Sequence, residues 1–120
     1  MSDDDRTPAL LNLDALANQT TSRAALKPEV LAAEVGTLGP HWTNTGTELK
    51  LVLKGGPMAK QAEVVTAAAK LADELDHHPT ITLEYAGLTL TINTHDAQAI
   101  TMLDLVYAAR LEAWLRTNGR

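Results

Sequence analysis

Residues 74–96 read ELDHHPTITLEYAGLTLTINTHD, and their pattern decides the fold. TITLEY (80–85) and LTLTINT (88–94) both alternate apolar and polar residues, the period of a strand with one buried face. The pattern puts Ile81, Leu83 and Tyr85 on one face of the first strand and Leu88, Leu90 and Ile92 on one face of the second. Ala86-Gly87 between them is short enough for a tight hairpin. Three of the four histidines lie at the open end of this hairpin: His77 and His78 before it, His95 after it. The outgoing and returning strands are of similar length, so these two points come back to roughly the same level.

Working outward, MAKQAEVVTAAAKLADELD (58–76) carries Met58, Ala62, Val65, Ala69, Ala72 and Leu75 at helical spacing, which predicts a helix of about five turns. It stops at His77, because Pro79 disfavours helical geometry in the residue before it. TELKLVLK (47–54) predicts a further strand that buries Leu49, Leu51 and Leu53, ended by Gly55-Gly56-Pro57. LKPEVLAAEVGTL (26–38) predicts a helix with Pro28 in its first turn and Leu31, Val35 and Leu38 inward. TMLDLVYAARLEAWLR (101–116) predicts a last helix, with Leu103, Tyr107, Leu111 and Trp114 or Leu115 on its inner stripe. Thr101 and Asp104 have the spacing of a capping box.

The element order α-β-α-β-β-α predicts an α+β two-layer sandwich, with helices on one face of a small antiparallel or mixed three-stranded sheet. The bare face or edge of that sheet is expected to meet a second copy of the chain. Residues 1–22, including ALLNLDALA (9–17), are expected to be a flexible N-terminal extension, and 23–120 one domain.

The 120 residues are 45% hydrophobic, contain no cysteine and no phenylalanine, and carry a net charge of -5. Without cysteine there is no disulfide or thiolate chemistry. The ten Lys and Arg are scattered, which argues against direct nucleic-acid binding. No apolar run is long enough for a membrane helix and the start MSDDDRTP is acidic, so a soluble cytoplasmic protein is expected, without a membrane partner.

Two imidazoles in different surroundings can hold one proton donor and one acceptor near neutral pH. Metal ligation is the competing use, but neither HxH nor HExxH spacing occurs, so no metal is expected. Nothing places a serine, threonine or lysine beside the histidines as a nucleophile, which favours proton transfer. Structural roles compete at single positions: a helix-end cation for His77, a capping acid for Asp104, a core or rim ring for Tyr85, and a buried anchor for Trp42.

Asp73, the His77-His78-Pro79 run, Tyr85, His95 and Asp104, with LGPHW (38–42) upstream, together resemble the pterin-4a-carbinolamine dehydratases, over roughly residues 26 to 115. The chain differs from that family at Glu74, where lysine is usual, and in having no phenylalanine in the strand and long helix. The resemblance implies dehydration of a 4a-hydroxytetrahydropterin in tetrahydrobiopterin recycling, with no cofactor. It implies His77 and His95 as the acid and base, His78 as a further catalytic or binding group, and Asp73, Pro79, Thr94 and Asp96 around the substrate. Asp104, Tyr85 and Trp42 would support them. It also implies a homodimer or a dimer of dimers. The alternative within the resemblance is a non-catalytic assembly or dimerisation factor with a protein client, such as a RuBisCO assembly factor or a transcriptional coactivator.

Overall fold

The computed structural model describes the backbone of residues 8–120 and the side chains of 12–120. Helices α1 (Pro8–Ala17) and α2 (Pro28–Leu38) come first, then strands β1 (Trp42–Asn44) and β2 (Leu49–Lys54) and helix α3 (Met58–Leu75). Strands β3 (Thr80–Glu84) and β4 (Gly87–Ile92), a single 3-10 turn at His95–Ala97 and helix α4 (Met102–Thr117) complete the chain. The strands form one antiparallel sheet in the order β1-β2-β4-β3.

The alternation works as the sequence predicts. Leu49, Leu51 and Leu53 stand opposite Ile92, Leu90 and Leu88, and Ile81 and Leu83 stand opposite Leu90 and Leu88, so all face one side. The other side carries Lys50, Val52, Thr80, Thr82, Thr89 and Thr91, none of them fully buried. Helix α4 is the centre of the opposing layer: it packs against α1, α2 and α3, and its residues Leu103 to Ala109 are all buried.

Four features differ from the sequence reading. Strand β1 makes the sheet four-stranded; its three residues are too few to show a period. On α3 the buried residues are Val64, Ala68 and Ala72, so the stripe is turned by about one residue from Ala62, Val65 and Ala69, and Met58 is exposed. The alanine-rich run TAAAKLA offers little difference between faces, and packing against Tyr107 decides it. Tyr85 is 95% exposed rather than inward, because β3 ends at Glu84 and the two-residue turn is Tyr85-Ala86. Gly87 opens β4 at φ 142°, where a Cβ would run into the Leu53 carbonyl and the Lys54 backbone. Finally, within the segment 1–22 set apart by the sequence reading, α1 places Leu13, Leu16 and Ala17 in the core against α4. Residues 1–7 lie outside the described residues.

Candidate active site

The end of α3 sets the geometry. Asp76 takes a left-handed conformation at φ 47°, which a short polar side chain tolerates, and the next N–H, that of His77, closes onto the Ala72 carbonyl at 3.0 Å. The turn drives the His77 side chain inward, where it is 7% exposed.

There it meets Asp104 in the first turn of α4. His77 Nε2 lies 2.5 Å from Asp104 Oδ1, and the carboxylate is wholly buried. The other oxygen, Oδ2, accepts the Thr101 N–H at 2.8 Å and the Thr94 hydroxyl at 2.8 Å. Thr94 and Thr101 hydroxyls lie 2.6 Å apart. Asp104 thus completes the capping box of α4 while joining the end of α3, the end of β4 and the start of α4. As the acceptor in every one of these contacts, it leaves Nε2 of His77 as the donor and Nδ1 as the ring nitrogen free to act elsewhere.

Thr94 precedes the 3-10 turn and His95 opens it, with an exposed side chain. The turn is closed by Gln98 at φ 49°, whose N–H donates to the His95 carbonyl at 3.0 Å. Asp96, the next residue, is bonded through both carboxylate oxygens to Arg23, at 2.8 and 2.9 Å. Hydrogen bonding to that guanidinium holds the Asp96 carboxyl below the ordinary carboxylate range. His78 is largely exposed, with Nε2 3.8 Å from Asp73 Oδ1, one turn back on α3. Pro79 is half-buried at the start of β3.

Of the residues singled out from sequence, the fold joins His77, Thr94 and Asp104 directly and puts His78, Asp73, Pro79, His95 and Asp96 on the segments that leave this junction. It sends two elsewhere. Tyr85 is at the hairpin tip, the far end of β3. Trp42 donates from Nε1 to Glu112 at 2.9 Å, and Glu112 is eight residues from Asp104, about 12 Å along the helix. Tyr85 sits outside the site because the turn, and not the strand, claims it; Trp42 because its indole N–H needs a buried acceptor.

Arg23 and Glu112 were not anticipated. An acid between Leu111 and Leu115 on the buried side of α4 is the signal that could have marked Glu112, which also contacts His41 Nδ1 at 3.3 Å and Arg116 Nε at 2.9 Å. Among the described residues no three of His, Asp and Glu converge as a metal site, and no helix is long and apolar enough to cross a membrane. Hollows of about 440 Å³ between α3 and α4 and about 470 Å³ beside Gly55-Gly56-Pro57 are not lined by His77, His78 or His95.

Comparison with known proteins agrees with the architecture. Residues 24–114 match the family model described as pterin 4 alpha carbinolamine dehydratase. A protein of Paracidovorax citrulli, provisionally named pterin-4-alpha-carbinolamine dehydratase, is 41% identical over 101 residues, covering 81% of this chain and 86% of its own. Similarly named proteins of Streptomyces coelicolor and Chromobacterium violaceum are 33% and 32% identical, covering 78% and 64% of this chain and 93% and 71% of theirs. The crystal structure of a transcriptional coactivator/pterin dehydratase from Brucella melitensis superposes with a TM-score of 0.67 at 23% identity, covering 74% of this chain and 96% of that one. That likeness concerns the fold.

Proposed function

Because the chain belongs to the pterin 4 alpha carbinolamine dehydratase family, we propose that it dehydrates a 4a-hydroxytetrahydropterin to the quinonoid dihydropterin, with His77 and His95 as the proton-transfer pair. The C4a–O bond breaks as the hydroxyl takes a proton and leaves as water; the ring nitrogen lone pair forms the new C=N bond and its proton goes to a base. The observation that carries the reading is the buried Asp104 bond to His77 Nε2. An imidazole held in this way presents Nδ1 with a defined tautomer, so His77 suits the role of base. His95, exposed on its turn, is then the group that protonates the leaving hydroxyl. His78 and Asp73, on the surface beside them, would bind the polar edge of the pterin.

Two copies are proposed to associate through the uncovered side of the sheet or the edge of β3, which among the described residues pairs only with β4. Light scattering after gel filtration reads that directly.

The deciding experiment follows dehydration of a freshly generated 4a-hydroxytetrahydropterin with and without the protein. Acceleration that is lost by about 10²-fold or more in both His77→Ala and His95→Ala supports the reading. No acceleration by the wild-type chain refutes it and leaves the assembly-factor alternative.

A further inference from the structure

The segment between α1 and α2 has no helix or strand, yet it is fastened at three points, two at the start of α4 and one on the 3-10 turn that carries His95. The Leu103 N–H donates to the Ser22 carbonyl at 3.2 Å, and Ala25 forms an isolated antiparallel bridge with Thr101. Between these anchors Arg23 reaches across 73 residues of sequence to Asp96, Nε to Oδ2 at 2.9 Å and Nη2 to Oδ1 at 2.8 Å.

Both side chains are more than half exposed, so charge attraction alone is weak here. The geometry is what distinguishes the pair. A planar guanidinium fork on both carboxylate oxygens fixes orientation as well as distance. Asp96 immediately follows His95, and Thr94 before it is tied to Asp104. The turn bearing His95 is therefore held on both sides. Arg23 precedes the segment that matches the family, residues 24–114, so the match itself does not supply this contact.

We propose that Arg23 is a positioning residue of the site, fixing through its two-point bond to Asp96 the turn that presents His95. The proposal rests on the dehydratase reading of His95. Arg23 Nε and Nη2 donate one bond to each carboxylate oxygen of Asp96, so the pair acts on the geometry of the turn.

The test uses the full chain with Arg23→Met, Arg23→Lys, and the charge reversal Arg23→Asp with Asp96→Arg. Carboxyl NMR of Asp96 first reads the bond itself: its titration midpoint should move up towards the ordinary 3.8 in Arg23→Met. Dehydration should then show kcat lowered about tenfold with KM little changed, a partial recovery in Arg23→Lys, and a larger recovery in the reversed pair than in Arg23→Asp alone. Wild-type kcat in Arg23→Met, with the Asp96 midpoint moved, overturns the proposal. So does a rise in KM that the reversed pair does not repair, since Arg23 would then touch the substrate. Should the wild-type chain show no dehydration, the dehydratase reading fails separately. The His95 ring signal still decides whether Arg23 orders the turn: broadening in Arg23→Met supports that role, and an unchanged signal refutes it.

Discussion

Asp104 Oδ1 lies 2.5 Å from His77 Nε2 and joins residues 27 apart in sequence. Both are buried, and among the described residues the other hydrogen bonds of the carboxylate come from Thr94 and Thr101. Stability and the proposed chemistry therefore meet in one side chain, and substitutions can pull them apart. Asp104→Asn preserves shape but replaces an acceptor with a donor towards one neighbour. It should lower kcat by about 10²-fold, with a stability loss of roughly 1–3 kcal/mol. Asp104→Ala, which leaves the imidazole and two hydroxyls without their shared acceptor, should cost about 3–5 kcal/mol. Urea unfolding alongside single-turnover dehydration separates the two effects.

The two proposed catalytic histidines should behave differently when removed. His77→Ala empties a buried position and leaves Asp104 Oδ1 without its partner, so both activity and melting temperature should fall. His95 is exposed on its turn, and His95→Ala should change stability by no more than about 0.5 kcal/mol while lowering kcat by at least about 10²-fold. Equal melting shifts for the two variants would contradict the placement of the rings.

The extent to which this arrangement is legible in the sequence depends on the length of the signal. The hairpin and α3 repeat their periods over enough residues to stand out, and Pro79 marks the end of α3 without help from packing. Strand β1 has three residues, fewer than two full periods. The stripe of α3 is displaced because Ala67, Ala68 and Ala69 are alike in sequence and are sorted only by what faces them. His77, His95 and Asp104 are visible as residue types at suggestive positions. Their wiring is not, since a carboxylate at Asp104 could cap its own helix, bind an imidazole, or do both, as it does here. Arg23 is invisible for a plainer reason: its partner is 73 residues away and nothing local about an arginine in a polar segment points to it.

Tyr107 provides a prediction in pH. Its side chain is fully buried, its hydroxyl donates to the Ala68 carbonyl at 2.6 Å, and burial pushes its ionisation well above the ordinary value of 10.0. Below pH 10 the folded and unfolded chains both hold this proton, and the tyrosine contributes no pH dependence. Above it the unfolded chain releases the proton while the folded chain keeps it, so stability is lost as pH rises, by up to about 1.4 kcal/mol per pH unit for this one group. Tyr107→Phe should remove that part of the slope, at a cost near neutrality of about 1 kcal/mol for the hydrogen bond. Urea midpoints at pH 8, 10 and 11 for the two proteins make the comparison.

Gly87 tests the hairpin. Its positive φ and the close approach of the Leu53 carbonyl leave no room for a side chain, and the obstacle is backbone of the neighbouring strand, which cannot swing aside. Gly87→Ala should therefore cost more than the roughly 1 kcal/mol of an ordinary left-handed glycine site. Ala86→Gly, one residue earlier in the exposed turn, should cost little. A similar melting temperature for both variants would refute the tight contact between β2 and β4 at this end.

Glu112 separates the scaffold from the chemistry. It is 2% exposed and gathers the Trp42 indole, the His41 ring and the Arg116 guanidinium, while Arg116 also donates to the Leu38 carbonyl at 3.2 Å. This junction fastens α2 and β1 to the second half of α4, about two turns beyond Asp104. Removing the carboxylate leaves a buried indole N–H and a partly buried guanidinium without their acceptor, so Glu112→Ala should destabilise by about 3–5 kcal/mol and Glu112→Gln by less, because the amide oxygen can still accept from Trp42. Neither change reaches the His77–Asp104–Thr94 junction. Measured at a temperature where the variants remain folded, kcat per folded molecule should stay within about twofold of wild type. A large loss of kcat in folded Glu112→Gln would mean that the Trp42 end of α4 takes part in the reaction, contrary to the separation of the two junctions.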